Sequence, residues 1–227
     1  IVFVMVNTTM YGGTGGTFAT FSRNQLSIEI AIHEIGHSFA GLSDEYWAGF
    51  QFANENVNMT QNTDPITIVW SQWLYDNGVG IYQYESPGND WHRPHQDCKM
   101  RYLETPFCSV CSEHTIRTIY SILDPIGNYL PQYSNISLSS NGSEYFQINP
   151  IPTIPNTIEV NWFLNDDIIF GNTNQIIFDA SIYNPGDYTL KASCKDTTNL
   201  VRSDNLNLLK SEVSWNITIF AVAGCEK

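Results

Sequence analysis

His33 and His37 lie four residues apart, and Glu34 directly follows the first. On an α-helix, residues four apart share one face, one turn above the other. Two imidazoles placed that way can aim a nitrogen each at one metal ion. Glu34 then sits beside the ion rather than on it. That is where a base must stand to take a proton from an activated water. The chemistry this spacing allows is metal-assisted hydrolysis. The competing reading is a buried structural helix carrying two hydrogen-bonded histidines.

Zinc that keeps an open catalytic position needs a third protein ligand. After Gly41 the chain offers Asp44 and Glu45. In the metzincin pattern His-Glu-x-x-His-x-x-Gly-x-x-His, the glycine comes three residues after the second histidine and the ligand six after it. Here Ala40 and Ser43 hold those places, and Gly41 and Asp44 follow one step later. One extra residue before the turn shifts both together. Asp44 is therefore favoured over Glu45, His92 and His95, since zinc accepts carboxylate oxygen. Further along comes Cys98-Lys99-Met100-Arg101-Tyr102. Metzincins carry a methionine turn beneath the metal, and some place a tyrosine two residues later. Met100 and Tyr102 match that spacing. A thioether floor packs well under imidazoles, and the Tyr102 hydroxyl is expected to reach the metal or a developing oxyanion.

With residues 33–46, Trp91-His92-Arg93-Pro94 leading into 98–101, and Phe107-Cys108-Ser109-Val110-Cys111 in hand, the chain resembles the IgA-peptidase family of secreted zinc metallopeptidases. The likeness spans roughly residues 1–125. It implies one catalytic Zn²⁺ held by His33 and His37, with Asp44 the expected third ligand. It also implies Glu34 as the catalytic residue and a protein or peptide substrate. Nothing in these residues selects immunoglobulin A. The fold class expected is an α+β metzincin-like zinc peptidase domain followed by an all-β immunoglobulin-like sandwich. Only 26 residues precede the helix, so the N-terminal part of the first domain is expected to be incomplete.

These residues need elements to hold them. Ile28, Ala31, Ile32, Ile35, Phe39 and Ala40 recur at helical spacing around His33 and His37, and Ile30 makes the helix apolar nearly all round, as in a buried helix. Gly36 lets a neighbour approach closely, and Gly41 suits the left-handed position that ends a helix. Ile1–Val6 reads as a strand covered on both faces. Tyr11-Gly-Gly-Thr-Gly-Gly16 lets backbone pass close to something. Thr17–Ser22 reads as a strand; the resemblance to metzincins implies that it borders the cleft, with its exposed edge pairing with substrate backbone. Residues 47–64 read as a surface loop, Trp70 and Trp73 as packing, 78–84 as a short strand and 85–97 as a loop bearing His92 and His95. Residues 112–123 read as an amphipathic helix capped by Ser112, with His114 exposed.

The expected domains are 1–125 catalytic, 126–143 a connector, and 144–227 a β-sandwich. In the last, strands are expected at 144–149, 157–164, 175–182, 187–195 and 211–221, with a turn at Asn184-Pro-Gly-Asp187. Trp162 and the stretch ending at Cys194 resemble an immunoglobulin-like sandwich. Cys194 is expected to pair with Cys225. The sandwich holds no cluster of catalytic residue types, so packing or adhesion to a glycan or protein is its expected role.

Among 227 residues, 23 Asp and Glu against 10 Lys and Arg leave a net charge of −13. That balance excludes general electrostatic binding of nucleic acid and gives no polybasic membrane patch. No run is long and apolar enough to span a bilayer. A disulfide from Cys98 to Cys108 or Cys111 is expected to brace the methionine turn. With sequons at Asn7, Asn58, Asn135, Asn141 and Asn216, it leans toward a secreted, extracellular protein. The rival to a zinc endopeptidase is a non-catalytic extracellular binding module with a structural metal site.

Overall fold

The computed structural model describes residues 2–86 and 88–221. The chain divides into two compact units, residues 1–119 with 200–203, and residues 120–199 with 204–227.

The first unit starts with β1 (Phe3–Val6), β2 (Gly13–Thr14) and β3 (Ala19–Ser22), in the order β1-β3-β2. β1 runs parallel to β3, and β2 antiparallel to it. β3 is thus the central strand, not the expected edge, and β2 is the edge. β1 was expected to be covered on both faces, yet all four of its residues are exposed. Helix α1 (Ser27–Ser38) packs on β3. Asn24 makes the turn just ahead of it, its side-chain oxygen accepting the Leu26 amide at 3.1 Å.

Beyond α1 the chain to residue 108 is largely turns, with one small hairpin of β4 (Tyr82–Gln83) and β5 (His92–Arg93). These turns close over a core of Leu42, Ile68, Trp70, Trp73, Val79 and Met100. Helix α2 (Ser109–Tyr120) begins three residues before the expected one. The Ser112 amide bonds the Cys108 carbonyl at 2.9 Å, so Ser112 lies inside the helix rather than capping it. His114 is half-buried, and the Ala40 carbonyl accepts from its ring. The buried Glu113 carboxylate on α2 accepts from Gln72 Nε2 at 3.0 Å, from the Arg202 and Ser203 amides at 2.7 and 2.6 Å, and from the Trp73 indole. A buried carboxylate persists only with such a set of donors. This one fastens residues 200–203 into the first unit, where the Arg202 guanidinium lies 3.8 Å over the Trp73 ring.

Among the described residues, the second unit carries eight strands. β6 (Ile126–Leu130) and β7 (Asn135–Ser139) fall in the stretch expected to be a connector. They are followed by β8 (Ser143–Pro150), β9 (Ile158–Leu164), β10 (Asp167–Gly171), β11 (Gln175–Asp179), β12 (Gly186–Asp196) and β13 (Lys210–Phe220). One sheet has the order β10-β9-β12-β13-β7, the other β11-β8-β6. Period-two alternation fixes their shared core, as a pleated strand requires. Phe146 and Ile148, Val160 and Trp162, Ile176 and Phe178, and Trp215 and Ile217 all point inward. Trp162 and Trp215 stack at 5.9 Å with their planes 13° apart.

The expected fold class is therefore overturned. Strand makes up 34% of the chain and helix 15%, with two α-helices, and that balance does not fit an α+β metzincin domain. The physical reason lies between α1 and α2. That stretch is rich in Asn, Gly and Pro and sustains neither a helical nor a strand period, so it folds as turns. The expected Cys194–Cys225 bond lies outside the described residues. Cys194 itself is a buried free thiol.

Replacing Glu113 by alanine leaves the buried Trp73 indole and three part-buried donors without their acceptor, at about 1–3 kcal/mol for each group that water cannot reach. Thermal unfolding of Glu113→Ala should report a loss of at least ~3 kcal/mol. A wild-type melting curve would refute this role for Glu113.

Candidate metal centre

Helix α1 ends in a way that makes a site. Gly41 takes the left-handed conformation at φ 65°, and nothing lies within 4 Å of where its Cβ would be. Glycine is thus needed there for its conformation, not for space. Its amide bonds the His37 carbonyl at 3.0 Å and the Leu42 amide bonds the Gly36 carbonyl at 2.9 Å. The turn sends the chain back over the helix face, and Asp44 arrives opposite the two imidazoles.

The result is a triangle. His33 Nε2, His37 Nε2 and Asp44 Oδ1 are each 3.1 Å from the other two. His33 Nδ1 faces the Lys99 carbonyl at 2.9 Å and His37 Nδ1 the Leu42 carbonyl at 2.6 Å. A carbonyl only accepts, so each Nδ1 carries the hydrogen. In the neutral rings both Nε2 atoms then present lone pairs toward each other and toward a carboxylate oxygen. Three electron-rich atoms at that spacing require something positive among them. Ligands about 2.0–2.1 Å from a tetrahedral zinc stand about 3.3 Å apart, so the donor set fits that ion. The second nitrogen of each histidine is oriented by a backbone carbonyl, as metal-bound histidines usually are.

The segment around Met100 supports this from below. Met100 is fully buried, and a Cβ on Gly36 would stand 2.5 Å from its sulfur. Gly36 therefore lets the thioether lie directly against α1. The neighbouring Lys99 supplies the carbonyl that holds His33, and its ammonium bonds the Glu29 carboxylate and the Leu103 carbonyl. Above the site runs the glycine-rich loop. A Cβ on Gly13 would come 2.6 Å from Glu34 Oε1, and one on Gly15 2.3 Å from His37 Cβ. Backbone without side chains is what can pass there.

Between the loop and the helix lies a cleft of about 380 Å³, lined by Glu34, Tyr46 and the three donors among others. Glu34 is 6% exposed. Burial raises its pKa, the two imidazoles pull it back, and Asp44 raises it again, leaving it above the ordinary value. Burial also acts to raise the Asp44 carboxyl. When the imidazoles are protonated, their hydrogen bonds and charge outweigh it and bring the pKa down to about 2. Burial and the nearby Asp44 charge hold the Tyr46 phenol well above its usual range, so it stays protonated. Its ring stacks on His33 at 6.4 Å.

The remaining expected site residues lie elsewhere. Tyr102 does not line the cleft; it is 47% exposed and packs under the Arg101 guanidinium at 4.6 Å. Its amide bonds the Cys98 carbonyl, which ties it to the turn rather than aiming it at α1. Tyr46 occupies the place expected of Tyr102. His95 is engaged by the Asn77 carbonyl, and His92 sits on β5, bridged through its backbone to Thr60. Glu45 points away from Asp44, into a cluster with Cys98, Cys108 and Cys111. The expected disulfide is absent. All three thiols are free, and Cys98 and Cys111 Sγ stand 3.8 Å apart, against about 2.05 Å for a bond.

Two contributors escaped the sequence reading. Asn58 is fully buried, so it cannot serve as the glycosylation site its sequon suggested. It accepts from the Ser43 amide at 2.9 Å and donates to the Ser43 carbonyl at 2.8 Å and to Glu45 Oε1 at 3.2 Å. The Tyr84 hydroxyl donates to the Asp44 carbonyl at 2.7 Å. Together they fix the strip that carries Asp44. Neither residue had a local signal, since each meets the strip only through the fold.

A family model described as "IgA Peptidase M64" matches residues 1–81, which include the three donors and Glu34. No curated protein matches the chain. Among solved structures, a quinonprotein alcohol dehydrogenase-like protein from Bacteroides thetaiotaomicron aligns at 14% identity and TM-score 0.30. It covers 40% of this chain and 19% of its own. The fibronectin(III)-like modules of Clostridium thermocellum CbhA align at 11% identity and TM-score 0.29, covering 42% of this chain and 96% of theirs. Neither likeness bears on the site. No described helix is long and apolar enough to cross a membrane.

A methyl group at Gly15 must displace either the loop or His37. Gly15→Ala should weaken retention of a divalent metal at the triangle by about tenfold or more, as supporting changes around a metal do. Metal analysis after dialysis, with circular dichroism as the control for folding, measures it. Unchanged retention would show that the loop does not press on the site.

Proposed function

We propose that the chain is a zinc-dependent endopeptidase that cuts extracellular proteins or peptides. The observation that carries this reading is the 3.1 Å triangle of His33, His37 and Asp44 with the buried Glu34 carboxylate at its side. The family match over residues 1–81 supports the peptidase part. That family is named for IgA, but no cleft residue selects IgA, and the substrate remains a protein class.

A divalent metal held by the three donors would supply Lewis acidity, lowering the pKa of water and polarising a carbonyl. Glu34 takes a proton from the attacking water and delivers it to the leaving amine. A base works best with its pKa near the working pH. The burial that raises the Glu34 pKa moves it in that direction. Tyr46 buttresses the other side, its hydroxyl hydrogen-bonded to Asp44 and its ring against His33. The edge strand β2 and the adjoining Gly15 line the cleft, and the strand's open edge can pair with an extended peptide. Added-strand pairing of that kind supplies affinity without side-chain selectivity.

Glu34→Gln keeps the shape and removes the base. Zinc content should stay at the wild-type level, while casein hydrolysis should fall by about 10²–10⁴-fold, the usual weight of a general base. Proteolysis at the wild-type rate would sink the assignment.

A further inference from the structure

The catalytic reading leaves one buried cluster unused. Glu45, Cys98, Cys108 and Cys111 each offer a ligand atom, and these atoms all lie within 4.8 Å of one another. Cys98, Cys111 and Glu45 are fully buried and Cys108 is 6% exposed. Cys98 and Cys111 Sγ are 3.8 Å apart, and Glu45 Oε1 lies 3.1 Å from Cys111 Sγ and 3.9 Å from Cys108 Sγ. Four ligands around a tetrahedral zinc, with Zn–S near 2.3 Å, set sulfurs about 3.8 Å apart and sulfur from oxygen about 3.5 Å. The Cys98–Cys111 pair has that spacing, and the two sulfur–oxygen distances of 3.1 and 3.9 Å fall on either side of theirs. A second observation points the same way. Glu45 Oε2 is buried with no hydrogen-bond partner, a costly state for a carboxylate oxygen.

The geometry points to a second, structural metal site in which Cys98, Cys108, Cys111 and Glu45 enclose a zinc ion. All four positions are filled by protein and shut off from solvent, which is the mark of a structural rather than a catalytic zinc. Thiolates select this borderline-soft ion over magnesium or calcium. On binding, the thiols release their protons to solvent. The Cys108 amide, 3.3 Å from Cys98 Sγ, donates toward that sulfur.

The placement gives the ion a purpose. Glu45 follows Asp44, and its amide bonds the Met100 carbonyl at 2.7 Å. Cys98 precedes Lys99, whose carbonyl orients His33. Cys108 and Cys111 bracket the start of α2. One ion would thus bind together the strip bearing Asp44, the turn under α1, and α2. The inference does not depend on catalysis at the triangle.

Cobalt(II) substitution of the full chain tests it. Tetrahedral thiolate–cobalt sites absorb through sulfur-to-metal charge transfer in the near ultraviolet, which histidine and carboxylate ligands do not produce. The wild-type protein, and a His33→Ala/His37→Ala variant that lacks the triangle, should both show the band. Cys111→Ser should reduce or abolish it, and zinc analysis should count about two ions in the wild type and one in the double-histidine variant. If Cys111→Ser fails to fold, the wild-type spectrum still decides. A wild-type chain with no band, and with two of these thiols found oxidised to each other on titration in denaturant, would overturn the proposal in favour of a disulfide. A charge-transfer band in a protein inactive on peptides would leave this site standing and sink only the peptidase reading.

Discussion

Three electron-rich atoms held 3.1 Å apart cannot rest together unless a positive charge sits among them. That constraint governs the first unit. Each imidazole is fixed from behind by a carbonyl, one from the Met100 turn and one from the turn after α1. Fixing the Nδ1 hydrogens forces the Nε2 lone pairs inward. A proton on one nitrogen answers part of the repulsion, whereas a divalent ion answers all of it. The burial that raises Glu34 and the bonds that lower Asp44 arise from the same crowding.

Neighbouring residues divide their work. Asp44 turns toward the imidazoles and Glu45 toward three sulfurs, so consecutive side chains serve two different clusters. The strip itself is held by Asn58, Tyr84 and the Met100 carbonyl. None of these holds a metal ion, yet each limits how far Asp44 can drift. Displacements near 1 Å are enough to cost a catalytic site much of its rate. The glycines at 13, 15 and 36 serve the same end by letting two layers close on α1 without a side chain between them.

Spacing along the chain does not by itself fix where a side chain points. Tyr102 matched a known offset from Met100, but its turn directs it to solvent, and Tyr46 lines the cleft instead. A cysteine trio near a turn suggested a disulfide, but the sulfurs gather around a carboxylate with no pair at bonding distance. Asn58 carried a sequon yet lies fully buried. In each case the local pattern was real, and the direction of the side chain depended on residues far along the chain. The α+β expectation failed for a related reason. It borrowed a domain plan from the motif, whereas the residues between the helices lack the periodicity such a plan needs.

What the sequence by itself determined was local. The helical period around His33 and His37, the glycine that ends that helix, the methionine that could lie beneath it, and the strand alternation of the second half were all legible, because each rests on contacts between residues a few positions apart. Only the tertiary structure decided that Asp44 and not Glu45 meets the imidazoles, that Lys99 lends its carbonyl to His33 from 66 residues away, and that Glu45 closes a ring with three cysteines. Those outcomes turn on how turns without any period fold onto a helix, and the free energy that selects one arrangement is summed over the whole core rather than written in any stretch of it.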